Sequence, residues 1–399
     1  MEFDKITDAE IVFICSLKEE ANLGWAEITE RYNKKFGKDK SLDAVKKSFQ
    51  RNRERLNDNN QYVKLLKDVS STRRANSLNS KDLKTVLEQW ENRDDVIDAI
   101  KGAAKDIGKL SVKQIKLPKP SKAKKGMTLE LLISDVHVGK LTQTFNLAVL
   151  KRRIKQISDT VVKEVQRASE HYNIDEIVVG LLGDMIESST MHRVESAKGC
   201  EFGNSRQVQE CISNIYYLLL APIYSLGIKV TVVGVTGNHD RTETDRTFHK
   251  PGEENVTWII YKTLEEFTKI GAFKNVSFLI PTSPYQLHSI YGENVLYEHY
   301  DNVKGDNQRR GIENLLAKRT NQIGVPIKFI RGGHFHEPAE FGLGKIVING
   351  NVPGNDGFSD TLGFNCEPTQ TLNFYIEREK SDSIKRQTSF YKRFLIQLN

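Results

Sequence analysis

Five times between residues 129 and 336 the chain runs through a short apolar stretch and then breaks into aspartate, asparagine, histidine and glycine. Leu131-Leu132-Ile133-Ser134 leads into Asp135-Val136-His137-Val138-Gly139, and Val178-Val179-Gly180-Leu181-Leu182 into Gly183-Asp184. Val232-Val233-Gly234-Val235-Thr236 leads into Gly237-Asn238-His239-Asp240, Val295-Leu296-Tyr297-Glu298 into His299, and Phe329-Ile330-Arg331 into Gly332-Gly333-His334-Phe335-His336. Short apolar runs closed by glycine read as buried strands. A fold consistent with this chain must place polar side chains just beyond the ends of several such strands.

The rest of this region has the same α/β texture. Strands are expected at 128–134, 176–182, 229–235, 275–280, 293–297, 327–330 and 345–348, and helices at 147–169, 206–226 and 256–269. Early strands alternate with helices and later ones crowd together. That order predicts an α/β core over 128–399, an α+β arrangement of two sheet layers flanked by helices.

The front of the chain differs. Residues 1–127 hold 28 Lys+Arg against 20 Asp+Glu, whereas the remainder is close to neutral. Three short helices are expected in residues 1–57. Thr7 with Glu10 forms a capping box for the first. The second carries Trp25, Ile28, Tyr32 and Phe36 on one stripe and ends at Gly37. The third, capped by Ser41, turns Leu42, Val45, Phe49 and Leu56 inward and its basic residues outward. This pattern is that of a small all-α, helix-turn-helix-like domain, and residues 6–56 loosely resemble the Myb/SANT group. If the third helix entered a DNA groove, Lys46, Lys47, Gln50 and Arg51 would meet the nucleic acid. A protein-docking module and plain solvated lysines are the competing readings. A helical connector over 58–108 and a Lys/Pro-rich linker over 109–127 follow, the stretch 109–125 carrying seven lysines and two prolines.

No apolar run is long enough to span a bilayer, and the first residues lack a secretory leader pattern, so a cytoplasmic protein with no membrane partner is expected. Cys15, Cys200, Cys211 and Cys366 show no CxxC spacing and are read as small buried residues.

The chemistry lies in the strand-end clusters. At a strand end, D-x-H and H-x-H put two side chains on one side of the backbone. Glycines before Asp184, Asn238 and His334 allow sharp turns and leave space beside the backbone. Mixed oxygen and imidazole donors suit Mn²⁺, Fe or Zn²⁺ better than an all-oxygen magnesium cage. Five of the nine histidines fall inside these clusters, which sets the ordered group apart from any one short motif.

The order DxH…GD…GNHD…H…GHxH resembles the calcineurin-like metallophosphoesterase superfamily over residues 129–377. Ser134-Asp135-Val136-His137-Val138-Gly139 is most similar to its DNA repair exonuclease branch and to phage-type members, which Asn349-Gly350-Asn351-Val352-Pro353-Gly354 and Pro368-Thr369-Gln370 also resemble. The resemblance implies two divalent ions, manganese foremost, with iron, zinc or magnesium as alternatives. Asp135, His137 and His336 would hold one, Asn238, His299 and His334 the other, and Asp184 would bridge them; His288 is the alternative to His299. Two such ions clamp phosphoryl oxygens and lower the pKa of a shared water. His239 would donate a proton to the leaving oxygen, with Asp240 orienting it. Arg241 and Arg331 are candidates for substrate phosphate, or equally structural arginines.

One departure stands out: Glu187 occupies the position where the nuclease branch usually has histidine or aspartate, with His192 as a substitute. His171 and His249 read as loop residues. The expected function is a metal-dependent DNA nuclease, in the host cytoplasm if phage-encoded. A phosphomonoesterase or protein phosphatase with a helical docking module, and a DNA-binding scaffold with a structural metal site, are the alternatives. A second copy or a partner protein is a further candidate partner, unidentified by sequence.

Overall fold

The apolar runs become strands because each supplies buried side chains to both faces of a sheet. In the computed structural model, residues 10, 13–14, 17–18, 23–52, 114–189, 198–241, 252–270, 273–280, 282–303, 307–355, 367–378 and 388–399 are described. The chain divides into two compact units, Met1–Asp94 and Asp95–Asn399.

The second unit holds eleven strands among its described residues: β1 (Gly126–Ile133), β2 (Asn173–Leu181), β3 (Lys229–Gly234), β4 (Val276–Leu279), β5 (Tyr285–Ile290), β6 (Glu293–Glu298), β7 (Phe329–Gly332), β8 (Ala339–Phe341), β9 (Ile346–Ile348), β10 (Thr369–Ile376) and β11 (Phe390–Gln397). They form a six-stranded sheet in the order β11-β10-β1-β2-β3-β4 and a five-stranded sheet in the order β5-β6-β7-β9-β8. Strands β1 to β4 run parallel, as do β6, β7 and β9.

The sheets pack face to face. Leu132, Val178 and Val233 of the first meet Val295, Tyr297, Phe329 and Val347 of the second in one buried cluster. Alternation along β1 sends Leu129, Leu131 and Ile133 to the opposite face. There they pack on the helix Leu147–Ser169, the helical run from Asn204 to Tyr224 with its π turn Ile215–Leu220, and the helix Val256–Ile270. The outer face of the second sheet, with Leu296, Ile330 and Ile346, is covered by Ile312 and Leu316 of the helix Gln308–Ile323. The architecture is helix, sheet, sheet, helix, as two sheet layers flanked by helices require.

A polar knot joins the sheets at their centre. Arg331, fully buried, donates to Glu130 Oε2 at 2.9 Å, to the Tyr375 hydroxyl at 2.6 Å and to the carbonyls of Ile330 and Gly344. Glu130 also accepts from Tyr297, Asn373 and Tyr375. A buried ion pair needs such full satisfaction.

The linker expected at 109–127 is not free where it is described. Ile115 N–H donates to Ser225 O, Ile115 and Leu117 pack on the core, and Lys124 Nζ reaches Ser169 O. Its apolar residues at 115 and 117 outweigh the surrounding lysines. No described helix is long and apolar enough to cross a membrane.

In the first unit, the helices Trp25–Phe36 and Leu42–Asn52 enclose Ile28, Tyr32, Val45 and Phe49 with Ile14 and Leu17. Trp25 meets Phe49 edge-on at 5.3 Å, and Gly37 ends the first helix in the left-handed conformation at φ 60°. Leu42, expected inward, is 39% exposed. Lys46, Lys47 and Gln50 are exposed on the face away from Val45 and Phe49. The Arg51 side chain, the Thr7 cap, Leu56 and the connector at 58–108 lie outside the described residues, as do His192, His249, Cys15 and Cys366.

Candidate metal centre

The registers of the parallel strands explain how residues distant in sequence converge. Ile133 pairs with Leu181 and Leu181 with Gly234, so Asp135, Asp184 and Asn238 emerge side by side at the carboxyl ends of β1, β2 and β3. In the second sheet Tyr297 pairs with Arg331, which brings His299 beside His334. Crevices at the carboxyl ends of parallel strands are where open α/β sheets bind ligands.

Two groups of donor atoms draw on both sheets, Asp135, His137 and His336 in one and Asp184, His299 and His334 in the other, the atoms of each lying within 4.8 Å of one another. A further cluster within the same distance, His137, Glu187 and His239, shares His137 with the first. Asn238 Oδ1 is buried and without a hydrogen-bond partner among the described residues, and Gly237 just before it packs against the Asp184 carboxylate. The H-x-H pair is thus split, one imidazole to each group, while the D-x-H pair stays together.

The backbone reaches this arrangement through strain and not through extended strand ends. Asp135, His137, Asp184, His334 and His336 all lie at positive φ, between 47° and 74°. Side chains rarely adopt that region, at roughly 1–2 kcal/mol each, and clusters of such residues mark functional sites. Of the three motif glycines, Gly183 makes the turn itself at φ 87°. Gly237 is required for another reason: a Cβ there would overlap the Asp184 carboxylate. The space expected beside this glycine is filled by a candidate ligand.

Donor chemistry fits a pair of cations. His299 Nδ1 lies 2.7 Å from Leu182 O, so it donates there, and Nε2 faces Asp184 Oδ2 at 3.1 Å. Two acceptors face each other unless a proton or a metal ion settles the contact. His137 Nε2 and His336 Nε2 approach to 3.3 Å in the same manner. Among the described residues, neither Asp135 nor Asp184 has a lysine or arginine partner. Burial works to raise both carboxyls, but His336 and His299 hold Asp135 at about 2, and His299 and His239 hold Asp184 well below its ordinary value. Burial likewise depresses His299, yet Asp184 carries it up to about 10; burial and the neighbouring His299 push His334 down to about 4. His334 therefore offers a free lone pair at neutral pH, as a ligand must.

His239 sits against His137, ring centroids 4.6 Å apart and nearly perpendicular. Its main-chain N–H donates to Asp184 Oδ1 at 2.8 Å, and its Nδ1 lies 2.8 Å from the carbonyl of Glu187. Burial opposes its protonation, but the charges of Asp184 and Glu187 raise its pKa above the ordinary value.

Asp240 does not orient His239. Its buried carboxylate accepts instead from Met185 N and Ile186 N and braces the turn after Asp184. Burial and the nearby Asp184 charge push it up to about 7. Arg331 has no route to substrate, since it belongs to the knot between the sheets. Arg241 is largely buried and paired with Asp301 at 2.5 Å. His288 lies on β5 against Glu176 at 3.3 Å, away from both groups.

Two supports were not read from sequence. Glu187 Oε2 lies 2.7 Å from His137 Nδ1. Asn349 Nδ2 donates to Ser134 Oγ and Gln370 Oε1, and Gln370 Oε1 accepts from Ser134 N, which pins the strand end before Asp135. The asparagine-glycine run at 349–351 was the signal for the second; Glu187 stood out only as a departure from the nuclease pattern three residues after Asp184, with nothing to tie it to His137.

No family model and no curated protein matches the chain. Among solved structures it is similar to a conserved Streptococcus pneumoniae TIGR4 protein, a predicted phosphoesterase, at 12% identity and TM-score 0.28 over 67% of this chain and 98% of that one. It is similar to an archaeal phosphodiesterase at 9% identity and TM-score 0.29, over 67% and 99%. It is also similar to Vps29 from Entamoeba histolytica complexed with zinc at 14% identity and TM-score 0.26, over 68% and 99%.

Proposed function

We propose that this chain is a dinuclear-metal phosphoesterase and that its substrate is a phosphodiester of DNA. The observation that carries the first half is the pair of donor groups flanking Asp135 and Asp184, with His239 beside them. Asp135, His137 and His336 are assigned to one divalent ion, Asn238, His299 and His334 to the other, and Asp184 to both. Such ions supply Lewis-acid stabilisation of phosphoryl oxygens and a water of lowered pKa. Manganese suits this donor set, as do iron and zinc.

The chain's own residues do the rest. Asp135 and Asp184 stay ionised in the buried crevice and fix the charge that draws cations in. The Glu187 carbonyl holds the His239 proton on Nδ1 in the neutral ring, so a second proton would sit on Nε2 and could pass to a leaving oxygen. The left-handed turns hold the donors in place before any ligand arrives, which removes reorganisation from the reaction.

DNA as substrate is supported by the positive excess in residues 1–127 and by exposed Lys46, Lys47 and Gln50 on one helix face. Contacts of that kind grip a phosphate backbone in a salt-dependent way. The test is purified full-length protein with Mn²⁺, labelled single- and double-stranded DNA and a chromogenic phosphomonoester. Strand cleavage lost in His239→Ala, with metal retained, is the expected result. Monoester turnover without DNA cleavage makes the chain a phosphomonoesterase. No turnover on any substrate overturns the enzymatic reading.

A further inference from the structure

We infer that Glu187 positions two histidines at once, its carboxylate aiming His137 at one ion and its main-chain carbonyl aiming His239 at the leaving group. The inference rests on the dinuclear reading above and assigns a residue that the metal motifs leave without a role.

Glu187 sits between the two rings. Oε2 is 2.7 Å from His137 Nδ1 but 3.9 Å from His239 Nδ1, whereas the main-chain oxygen is 2.8 Å from His239 Nδ1. The carboxylate therefore serves His137 and the carbonyl serves His239. Oε1 points towards Lys140 Nζ at 3.7 Å, which offsets the charge brought into the crevice.

Both neighbours of Glu187 are clamped, so its main chain is a fixed platform. Ile186 N donates to Asp240 and Glu187 N to Val138 O. Ser188 turns at φ 62° and donates to Gln207 Oε1 at 2.9 Å.

The chemical consequence is tautomer control. A proton held on Nδ1 leaves the Nε2 lone pair to face outward, and a carboxylate on that proton makes the ring a stronger donor to a metal. His137 Nε2 already faces the space shared with His336. The Glu187–His137 contact is short but off the angle of a regular hydrogen bond. Catalytic contacts of this kind tighten when the site is loaded, so alignment and metal binding are expected together.

Because one histidine is served by the side chain and the other by the main chain, substitution of the side chain separates them. Full-length protein, stripped with chelator, is titrated with Zn²⁺ by calorimetry, and the loaded form is observed by ¹⁵N-histidine NMR. Glu187→Ala is expected to weaken one of two binding events by about 10–100-fold, the usual effect of losing such a support. The His239 Nδ1–H resonance persists and that of His137 is lost or shifted. Glu187→Gln, which keeps an acceptor but no charge, recovers part of the affinity and carries the same test if the alanine variant does not fold.

Zinc affinity unchanged in both variants overturns the inference, as does loss of the His239 resonance in Glu187→Ala. If the unsubstituted protein binds no ion, the dinuclear reading fails and takes the inference with it. If it binds two ions and the variants bind them equally well, only the Glu187 role fails.

Discussion

The left-handed turns at the candidate metal centre make a prediction that separates backbone strain from side-chain chemistry. His334 lies at φ 74°, and its imidazole, kept neutral by burial and the neighbouring His299, forms no ion pair among the described residues. Replacing it by alanine or by glycine removes the same imidazole. The two variants then differ only in how well each tolerates a positive φ. Alanine retains a Cβ that crowds the carbonyl, at roughly 1–2 kcal/mol, while glycine has more freedom to lose on folding, which returns about 0.5–1 kcal/mol to alanine. The balance leaves His334→Gly more stable than His334→Ala by about 1 kcal/mol, a rise of about 1–2 °C in Tm for a unit of this size. Thermal unfolding of both variants in excess chelator measures it. The internal control is Asn238, which lies outside the positive-φ set: there Asn238→Ala should be the more stable. A glycine variant at 334 no more stable than the alanine one would refute the strain assigned to the ligand turns.

Two further outcomes follow from charges away from the centre. Arg331→Met strands Glu130 as an unpaired buried charge, and should cost about 3–5 kcal/mol in denaturant unfolding; weakened substrate binding with stability unchanged would contradict the structural role given to Arg331. Burial tends to raise Glu176, but contacts with His288, Thr231 and Lys229 hold its carboxyl at about 2, below its ordinary 4.5. A folded pKa below the unfolded one stabilises at higher pH, and that stability is lost as pH falls from about 4.5 towards 2. Glu176→Gln should flatten the acid limb of the stability curve in that window, and superimposable limbs would exclude the assignment.

What the sequence made legible follows the strength of its periodic signals. The helix at 147–169 was read to the residue, because a 23-residue run with a continuous apolar stripe admits one register. The helix Gln308–Ile323 was missed: only Ile312, Leu316 and Arg319 are buried along it, too sparse a face to stand out. β10 escaped for the opposite reason. Gln370, Thr371 and Asn373 are fully buried there, and Gln370 and Asn373 are held by a polar network that no local pattern reveals. β11 shows no clean alternation because much of it is exposed.

The same division holds at the centre. Asp135, His137, Asp184, Asn238, His299, His334 and His336 were singled out by their places after apolar runs, and the structure gathers the aspartates and histidines among them into two donor groups. Partnerships were harder. Asp240 is adjacent to His239 in sequence but turns to the loop after Asp184, and the carboxylate of Glu187 reaches His137 across a strand gap. Arg331 resembles a phosphate ligand by proximity to His334, although alternation of the strand sends its side chain into the knot between the sheets. Neighbours in sequence at a strand end point in different directions, so adjacency predicts location far better than contact.

The division of each donor group between the two sheets has a consequence for how the molecule stays folded. His137 and His336 stand 199 residues apart in the chain, and one ion gripping both would act as a reversible clasp across about two thirds of the second unit. A covalent staple closing a loop of that order confers about 5 kcal/mol by the chain-entropy model. A metal clasp differs in that its strength tracks the free ion, by RT ln(1 + [L]/Kd). Resistance to unfolding and to proteolysis would then rise and fall with divalent ion supply, so the quantity that sets the activity of each molecule would also set how many molecules survive.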